Sequence, residues 1–279
     1  MDLIKPSTAL TIAGSDSGGG AGIQADLKTF SALGCYGMSV ITAVTAQNTQ
    51  SVLDIQKMEA HIVEKQIRAV LDDIGADAVK IGMLFSKDIV QVVAKCLESY
   101  PLKSIVLDPV MVAKSGDKLL QDNAILEMVN LLFPQSTIIT PNIAEVYELT
   151  GIKVVSEKDL EKAAKSLLES GSNYVLIKGG HMNGDEANDY LFAADKGVTL
   201  IDKFPGKRFN TKNKHGTGCT YSSAITACLA KGYSVNNAVR IAKKYINKAI
   251  EEGVNYQIGK GHGPVQHFFK GIDGLFDDV

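Results

Sequence analysis

An imidazole and a thiol flank a glycine loop in His215-Gly216-Thr217-Gly218-Cys219, ahead of the small-residue run Thr220-Tyr-Ser-Ser-Ala-Ile-Thr-Ala-Cys-Leu-Ala230. Gly216 and Gly218 permit backbone conformations that a Cβ resists, and they let a ligand come close to the chain. The run behind them reads as a helix. Its unpaired N–H groups and positive dipole end would face whatever occupies the loop. An anion site with a proton acceptor built into it points to phosphoryl transfer. A thiol's ordinary pKa of about 8.5 falls at a helix N-terminus and beside a cation, so a Cys219 thiolate is expected at neutral pH. Free cysteines are more often small packed residues, and Cys35, Cys96 and Cys228 are read that way. For His215 two readings stand level: an imidazole contacting a phosphate or sharing the proton of Cys219, and a hinge residue.

The elements that must position this loop alternate between strand and helix almost from end to end. Short apolar runs at 10–13, 39–45, 78–81, 104–107, 137–140 and 174–177 read as strands. Between them, apolar residues recur at helical spacing, as in Val63, Ile67, Val70, Leu71 and Ile74. Ser156 with Asp159 three residues on marks a helix start, and residues 189–210 read as two antiparallel β runs. Strands alternating with helices imply right-handed βαβ units and a mostly parallel sheet covered on both faces, in one domain spanning 1–279. Strand order is not legible from such a pattern.

Ligands bind beyond the carboxyl ends of the strands in an open parallel sheet, and here those ends are rich in polar residues. They carry Ser15-Asp16 amid five glycines between Gly14 and Gly22, Gln47-Asn48, Lys80 to Met83, Asp108-Pro109, Thr140-Pro-Asn142 with Glu145, and Lys178-Gly179-Gly180-His181. Each alone reads as an ordinary turn; six at one edge read as a site. The Gly14–Gly22 loop lacks the Gly-Lys-Ser/Thr of a nucleotide-triphosphate loop and matches no dinucleotide spacing. It fits a phosphate cradle and a cover over a flat substrate, with Asp26 at the ring edge, equally well.

A net charge of −2, from 29 basic and 31 acidic residues, leaves no electrostatic footprint for nucleic acid or a membrane surface. No apolar run approaches the roughly 18–20 residues of a membrane span, and the first residues do not read as a secretory signal. Four scattered cysteines without a CxxC pair favour reduced thiols and a cytoplasmic location.

Together the motifs Gly14-Ser-Asp-Ser-Gly-Gly-Gly-Ala-Gly-Ile-Gln-Ala-Asp26, Val44-Thr-Ala-Gln47, Lys80-Ile-Gly-Met83, Asp108-Pro-Val110, Thr140-Pro-Asn-Ile-Ala-Glu145, Lys178-Gly-Gly-His181 and His215-Gly-Thr-Gly-Cys219 resemble those of bacterial hydroxymethylpyrimidine/phosphomethylpyrimidine kinases of thiamine biosynthesis. These belong to the ribokinase-like superfamily, with relatives that phosphorylate pyridoxal. The resemblance runs from about Leu10 to His267. It implies a three-layer αβα sandwich, ATP and Mg²⁺ as cofactors, a small pyrimidine or pyridoxal-type substrate and a homodimer. Residue by residue, it implies that Gly14, Asp26, Gln47, Met83 and Val110 serve the acceptor. Asn142, Lys178, Gly180 and Lys243 serve the nucleotide, and Asp108 and Glu145 the metal. Gly216, Thr217 and Gly218 form the anion hole, with Cys219 where most of the superfamily carries an aspartate base. A sugar kinase would carry that aspartate, and a non-catalytic regulator would need neither loop intact.

Overall fold

The computed structural model describes residues 5–112, 119–180, 186–194 and 197–269. Nine strands form one sheet. In chain order they are β1 (Thr8–Asp16), β2 (Tyr36–Gln47), β3 (Val52–Lys57), β4 (Ala78–Ile81), β5 (Ile105–Leu107), β6 (Ile138–Ile139), β7 (Tyr174–Lys178), β8 (Asp189–Ala194) and β9 (Val198–Phe204). Their spatial order is β3-β2-β1-β4-β5-β6-β7-β8-β9. The central strands are parallel, while β3 at one edge and β8 and β9 at the other are antiparallel. The strand runs read from pattern all fall in this sheet. β3 was not among them: its sequence, VLDIQK, is half exposed and carries no continuous apolar face.

Helices cover both faces. On one lie α2 (Ala60–Leu71), α3 (Lys87–Leu97), α4 (Asp122–Leu131), α5 (Ile143–Thr150) and α6 (Glu157–Glu169); on the other lie α1 (Gly22–Ala32), α7 (Thr217–Ala230) and α8 (Val235–Gly253). Alternation along each strand feeds two separate cores. Val79 and Ile81 of β4 join the core that holds Val63 and Ile67 of α2, whereas Ala78 joins the one that holds Ile225 of α7 and Val239 of α8. Each large apolar side chain fully buried this way contributes about 1.5–3 kcal/mol. The expected stripe on α2 holds except at Ile74, which lies past the end of the helix and is exposed. The chain turns away at Gly75, whose φ of +74° suits glycine. Ser156 and Asp159 form the expected capping box on α6.

From β1 the chain crosses to β2 on one side, then returns to place β4 on the other. That reversal is a topological switch point, where the crevice of an open α/β sheet forms. Helix α7 packs across β1, β4 and β5 at this place.

Beyond α8 the chain runs back along the molecule. His262 N–H donates to the Thr49 carbonyl (2.7 Å), His215 N–H to the Gly263 carbonyl (3.0 Å), and His267 Nε2 pairs with Thr220 Oγ1 (2.9 Å). Burial, aided by Lys28, lowers the His267 pKa to about 4. A depressed histidine pKa means that the unfolded chain binds the extra proton, so stability is lost as pH falls from about 6.5 towards 4. The unfolding free energy from urea denaturation is therefore expected to fall as pH drops from 7 to 4, by up to about 3 kcal/mol. A shallower drop in His267→Gln checks the assignment.

Candidate functional site

Helix α7 begins at Gly216 with φ +74°, and its cap carries no side-chain hydrogen bond. A Cβ on Gly216 would run into the Gly20 carbonyl oxygen, so only glycine lets the 14–22 loop and the α7 loop touch. Asn213 anchors the α7 loop from below, its Nδ2 donating to the carbonyls of Gly253 (2.8 Å) and Tyr256 (2.6 Å). The uncapped first turn of α7 is thus aimed into the crevice as an anion site. Beside it, Lys178 Nζ lies 2.7 Å from Asp108 Oδ1 and 4.0 Å from Glu145 Oε2. Asp108 also accepts from Thr140 Oγ1 (3.1 Å) and Ser222 Oγ (3.2 Å). A Cβ on Gly218 would stand 3.5 Å from Asp108 Oδ2 and 3.6 Å from Lys178 Nζ, so helix start, ammonium and carboxylate share one space.

The two carboxyls there are driven apart. Burial opposes ionisation of Asp108, yet Lys178 and Lys80 hold its pKa below the usual carboxylate range. Burial, reinforced by Asp108, pushes Glu145 up to about 7 despite Lys178. Glu145 Oε2 accepts the Asn142 N–H (2.7 Å), and Asn142 Oδ1 caps α5 in return.

At the other end of the crevice, Met83 lies across Gly14, where a Cβ would come within 2.9 Å of its Sδ. Thr42 Oγ1 donates to the Met83 carbonyl (2.6 Å), and Thr45 Oγ1 to Gln47 Oε1 (3.2 Å). Asp16 gathers the glycine loop onto its own carboxylate. Oδ1 accepts from Gly18 N–H (2.8 Å), and Oδ2 from Gly20 N–H (3.0 Å) and Ala21 N–H (2.8 Å). Oδ2 also meets His215 Nε2 at 2.8 Å. Burial works against this charge, but His215 and the backbone donors keep the Asp16 pKa below its ordinary value. One cleft of about 600 Å³ joins Gln47 and Met83 to Lys178 and the α7 start, a size that suits small-molecule substrates.

The family model for phosphomethylpyrimidine kinase matches residues 16–266. The chain belongs to the phosphomethylpyrimidine kinase family. It is similar to the hydroxymethylpyrimidine/phosphomethylpyrimidine kinase of Rhizobium meliloti, 48% identical over 94% of this chain and 97% of the relative. Among solved structures it resembles the phosphomethylpyrimidine kinase of Clostridium difficile, at 47% identity and TM-score 0.76 over 87% of this chain and 99% of that one. It also resembles the pyridoxal kinase of Staphylococcus aureus in complex with AMP-PCP and pyridoxal, at 35% identity and TM-score 0.86 over 96% of both chains. The ribokinase-like three-layer fold expected from the sequence holds.

Family membership and geometry can be set side by side. Gly14, Gln47, Met83, Val110, Asp108, Asn142, Glu145, Lys178, Gly180 and the whole stretch from His215 to Cys219 line the cleft, and so does Lys243. Asp26 does not. It is fully buried beneath the cleft, accepting from Thr11 Oγ1 (2.6 Å), Ser223 Oγ (2.6 Å) and Lys80 Nζ (2.9 Å). Its carboxylate compensates a buried lysine, so it has no free edge for a substrate ring. Lys243 also spends its charge inside the protein, on Asp189 Oδ2 (2.5 Å) and the Ala187 carbonyl (2.7 Å). The expected Cys219 thiolate is corrected as well. Burial outweighs the nearby Lys80 cation, Asp26 and Asp108 add to it, and the thiol is pushed up to about 11. His215 pairs with Asp16, not with Cys219, and the 14–22 loop turns its N–H groups on Asp16, which leaves the cover reading over the phosphate cradle. His181 lies outside the described residues.

Two residues escaped sequence reasoning as working parts, Asp16 and Lys80. Asp16 followed by glycines carried a usable signal, since a short carboxylate at such a turn accepts N–H groups from the residues after it. Lys80, inside the apolar strand Ala-Val-Lys-Ile, signalled a buried partner without saying which.

Proposed function

We propose that the chain transfers the γ-phosphoryl group of ATP to 4-amino-5-hydroxymethyl-2-methylpyrimidine and then to its monophosphate, in thiamine biosynthesis. One observation carries this reading. A single cleft holds Gln47 and Met83 at one end and, at the other, the uncapped start of α7 beside Lys178 and Asp108. The names of the relatives and the nucleotide complexes of the structural neighbours support it.

Phosphoryl transfer asks mainly for positioning and charge stabilisation. In this reading the first turn of α7 and Lys178 stabilise the charge on the transferring group. Gln47 and Met83 orient the heterocycle, and the thiolate fraction of Cys219, small at neutral pH and growing as pH rises, takes the hydroxyl proton. Asp108 and Glu145 are hard oxygen donors next to the phosphate end, a donor set that fits Mg²⁺, which keeps to one or two carboxylates plus water and phosphate. When bound, Mg²⁺ supplies charge neutralisation on the phosphate oxygens.

A second reading, pyridoxal phosphorylation, is favoured by the likeness to a pyridoxal-bound kinase with TM-score 0.86. Side-by-side steady-state kinetics with ATP on the pyrimidine alcohol, its monophosphate and pyridoxal tests both. Higher kcat/KM on the two pyrimidines than on pyridoxal is expected. Failure to consume ATP with any of the three would overturn the kinase assignment. The exposed Tyr36, Val44 and Leu53 on the β2–β3 edge support a homodimer, which sedimentation equilibrium checks by mass.

A further inference from the structure

Beyond α8, every second residue of Gly259-Lys-Gly-His-Gly263 is glycine, a pattern to which the phosphoryl-transfer chemistry assigns no task. The chain bends around Thr49 there, and each glycine faces a wall. A Cβ on Gly259 would run into the Thr49 side chain, one on Gly261 into the Thr49 carbonyl, and one on Gly263 into the Asn213 side chain. Only glycine lets backbone approach so closely. Hydrogen bonds hold the contacts on both sides. Gly261 N–H donates to Thr49 Oγ1 (3.1 Å), and His262 N–H to the Thr49 carbonyl (2.7 Å). Further along, the Gly263 carbonyl accepts from His215 N–H (3.0 Å), and Val265 N–H donates to the His215 carbonyl (3.4 Å). One short segment therefore grips the Thr49 turn and the α7 loop together.

Thr49 stands in the turn that joins β2 to β3, just beyond Gln47 at the end of β2. β3 is the last strand on that side, so within the chain the sheet supports this turn from one side alone. We propose that Gly261 and Thr49 are positioning residues: the segment from Gly259 to Gly263 braces the β2–β3 turn against the α7 loop and so fixes Gln47 against the acceptor ring. The inference rests on the kinase reading above and adds residues that touch neither substrate. The two ends of the cleft depend on the brace unequally. The α7 loop has its own anchor, Asn213 Nδ2 on the carbonyls of Gly253 (2.8 Å) and Tyr256 (2.6 Å), so the phosphate end keeps its place when the brace is loosened. The acceptor end shifts instead. A misplacement of about 1 Å imposed from outside the reacting groups can cost roughly 100-fold.

The test measures kcat and both KM values with ATP and the aminopyrimidine alcohol in the unmodified chain, Gly261→Ala, Gln47→Ala and the double variant. In Gly261→Ala the acceptor kcat/KM is expected to fall about tenfold or more, mainly through KM, with the ATP KM changed by less than about threefold. In the Gln47→Ala background the same substitution should cost under about twofold, the non-additivity of residues acting in series. An unchanged acceptor kcat/KM, a rise confined to the ATP KM, or equal losses in both backgrounds overturns the proposal. Should Gly261→Ala fail to fold, Thr49→Ala and Thr49→Ser decide. Loss of the hydroxyl should lower acceptor kcat/KM about three- to tenfold, the worth of one hydrogen bond, and serine should restore it. No loss in Thr49→Ala, or the same loss in both, overturns the proposal. Amide hydrogen exchange reads the brace without turnover. Faster exchange in Gly261→Ala at 47–50 as well as 259–263 supports it, and a change confined to 259–263 overturns it. That reading holds if no acceptor is phosphorylated, so failure of the kinase reading stays distinguishable.

Discussion

Cys219→Ala is expected to lower turnover by about 10²–10⁴-fold, the range of a positioned acid–base group, with the acceptor KM changed only a few-fold. The thiol sits at the third residue from the α7 cap and lines the cleft, so truncation removes a proton acceptor without unmaking the anion site. Its raised pKa of about 11 gives the result a pH signature. Below that value the thiolate fraction grows roughly tenfold per pH unit. Single-turnover rates of the unmodified chain should therefore climb between pH 7 and 10 with a slope approaching one on logarithmic axes. The slope should vanish in Cys219→Ala. Near-normal turnover in the variant, or the same slope in both proteins, would return the whole of catalysis to positioning and electrostatics.

Lys80→Met is expected to cost about 3–5 kcal/mol of stability, the usual result of removing one partner from a buried ion pair. Both side chains of the Lys80–Asp26 pair have 0% exposure, at 2.9 Å separation. The variant leaves the Asp26 carboxylate with only the hydroxyls of Thr11 and Ser223. Those four residues come from β4, α1, β1 and α7, so the pair ties the anion helix to the switch point of the sheet. The penalty belongs to the uncompensated charge. Lys80→Met combined with Asp26→Asn, which keeps an oxygen for one hydroxyl, should recover at least half of it. Urea denaturation of the three proteins measures this, and a single variant within 1 kcal/mol of the unmodified chain would disprove it.

How legible each feature was depended on how local its cause is. Strand and helix periodicity depends on neighbours a few residues away, and the strands from β1 to β9 were readable for that reason, apart from the half-exposed β3. The α7 start was legible because Gly216 and Gly218 declare their backbone freedom in their own chemistry, and the capping box at Ser156 likewise. Asp26 was misassigned because a carboxylate one helix turn beyond a glycine loop looks the same in sequence whether it faces a ligand or a buried lysine. Only the pairing of β4 beside β1 puts Lys80 against it. Lys243 does line the cleft, but its ion-pair partner was hidden in the same way: Asp189 lies 54 residues away, on β8.

The sequence by itself determined the alternating α/β architecture, the glycine-flanked thiol at a helix start and the set of polar residues at the strand ends. Only the tertiary structure decided which charges the protein keeps for itself and which it offers to a ligand. It also turned the expected thiolate into a thiol, because the same burial that gathers Cys219 with Lys80, Asp26 and Asp108 removes the water that would stabilise its charge. Helix-terminus chemistry is a local property and can be read along the chain. Desolvation is a property of everything packed around a group, and it exists only once the chain has folded.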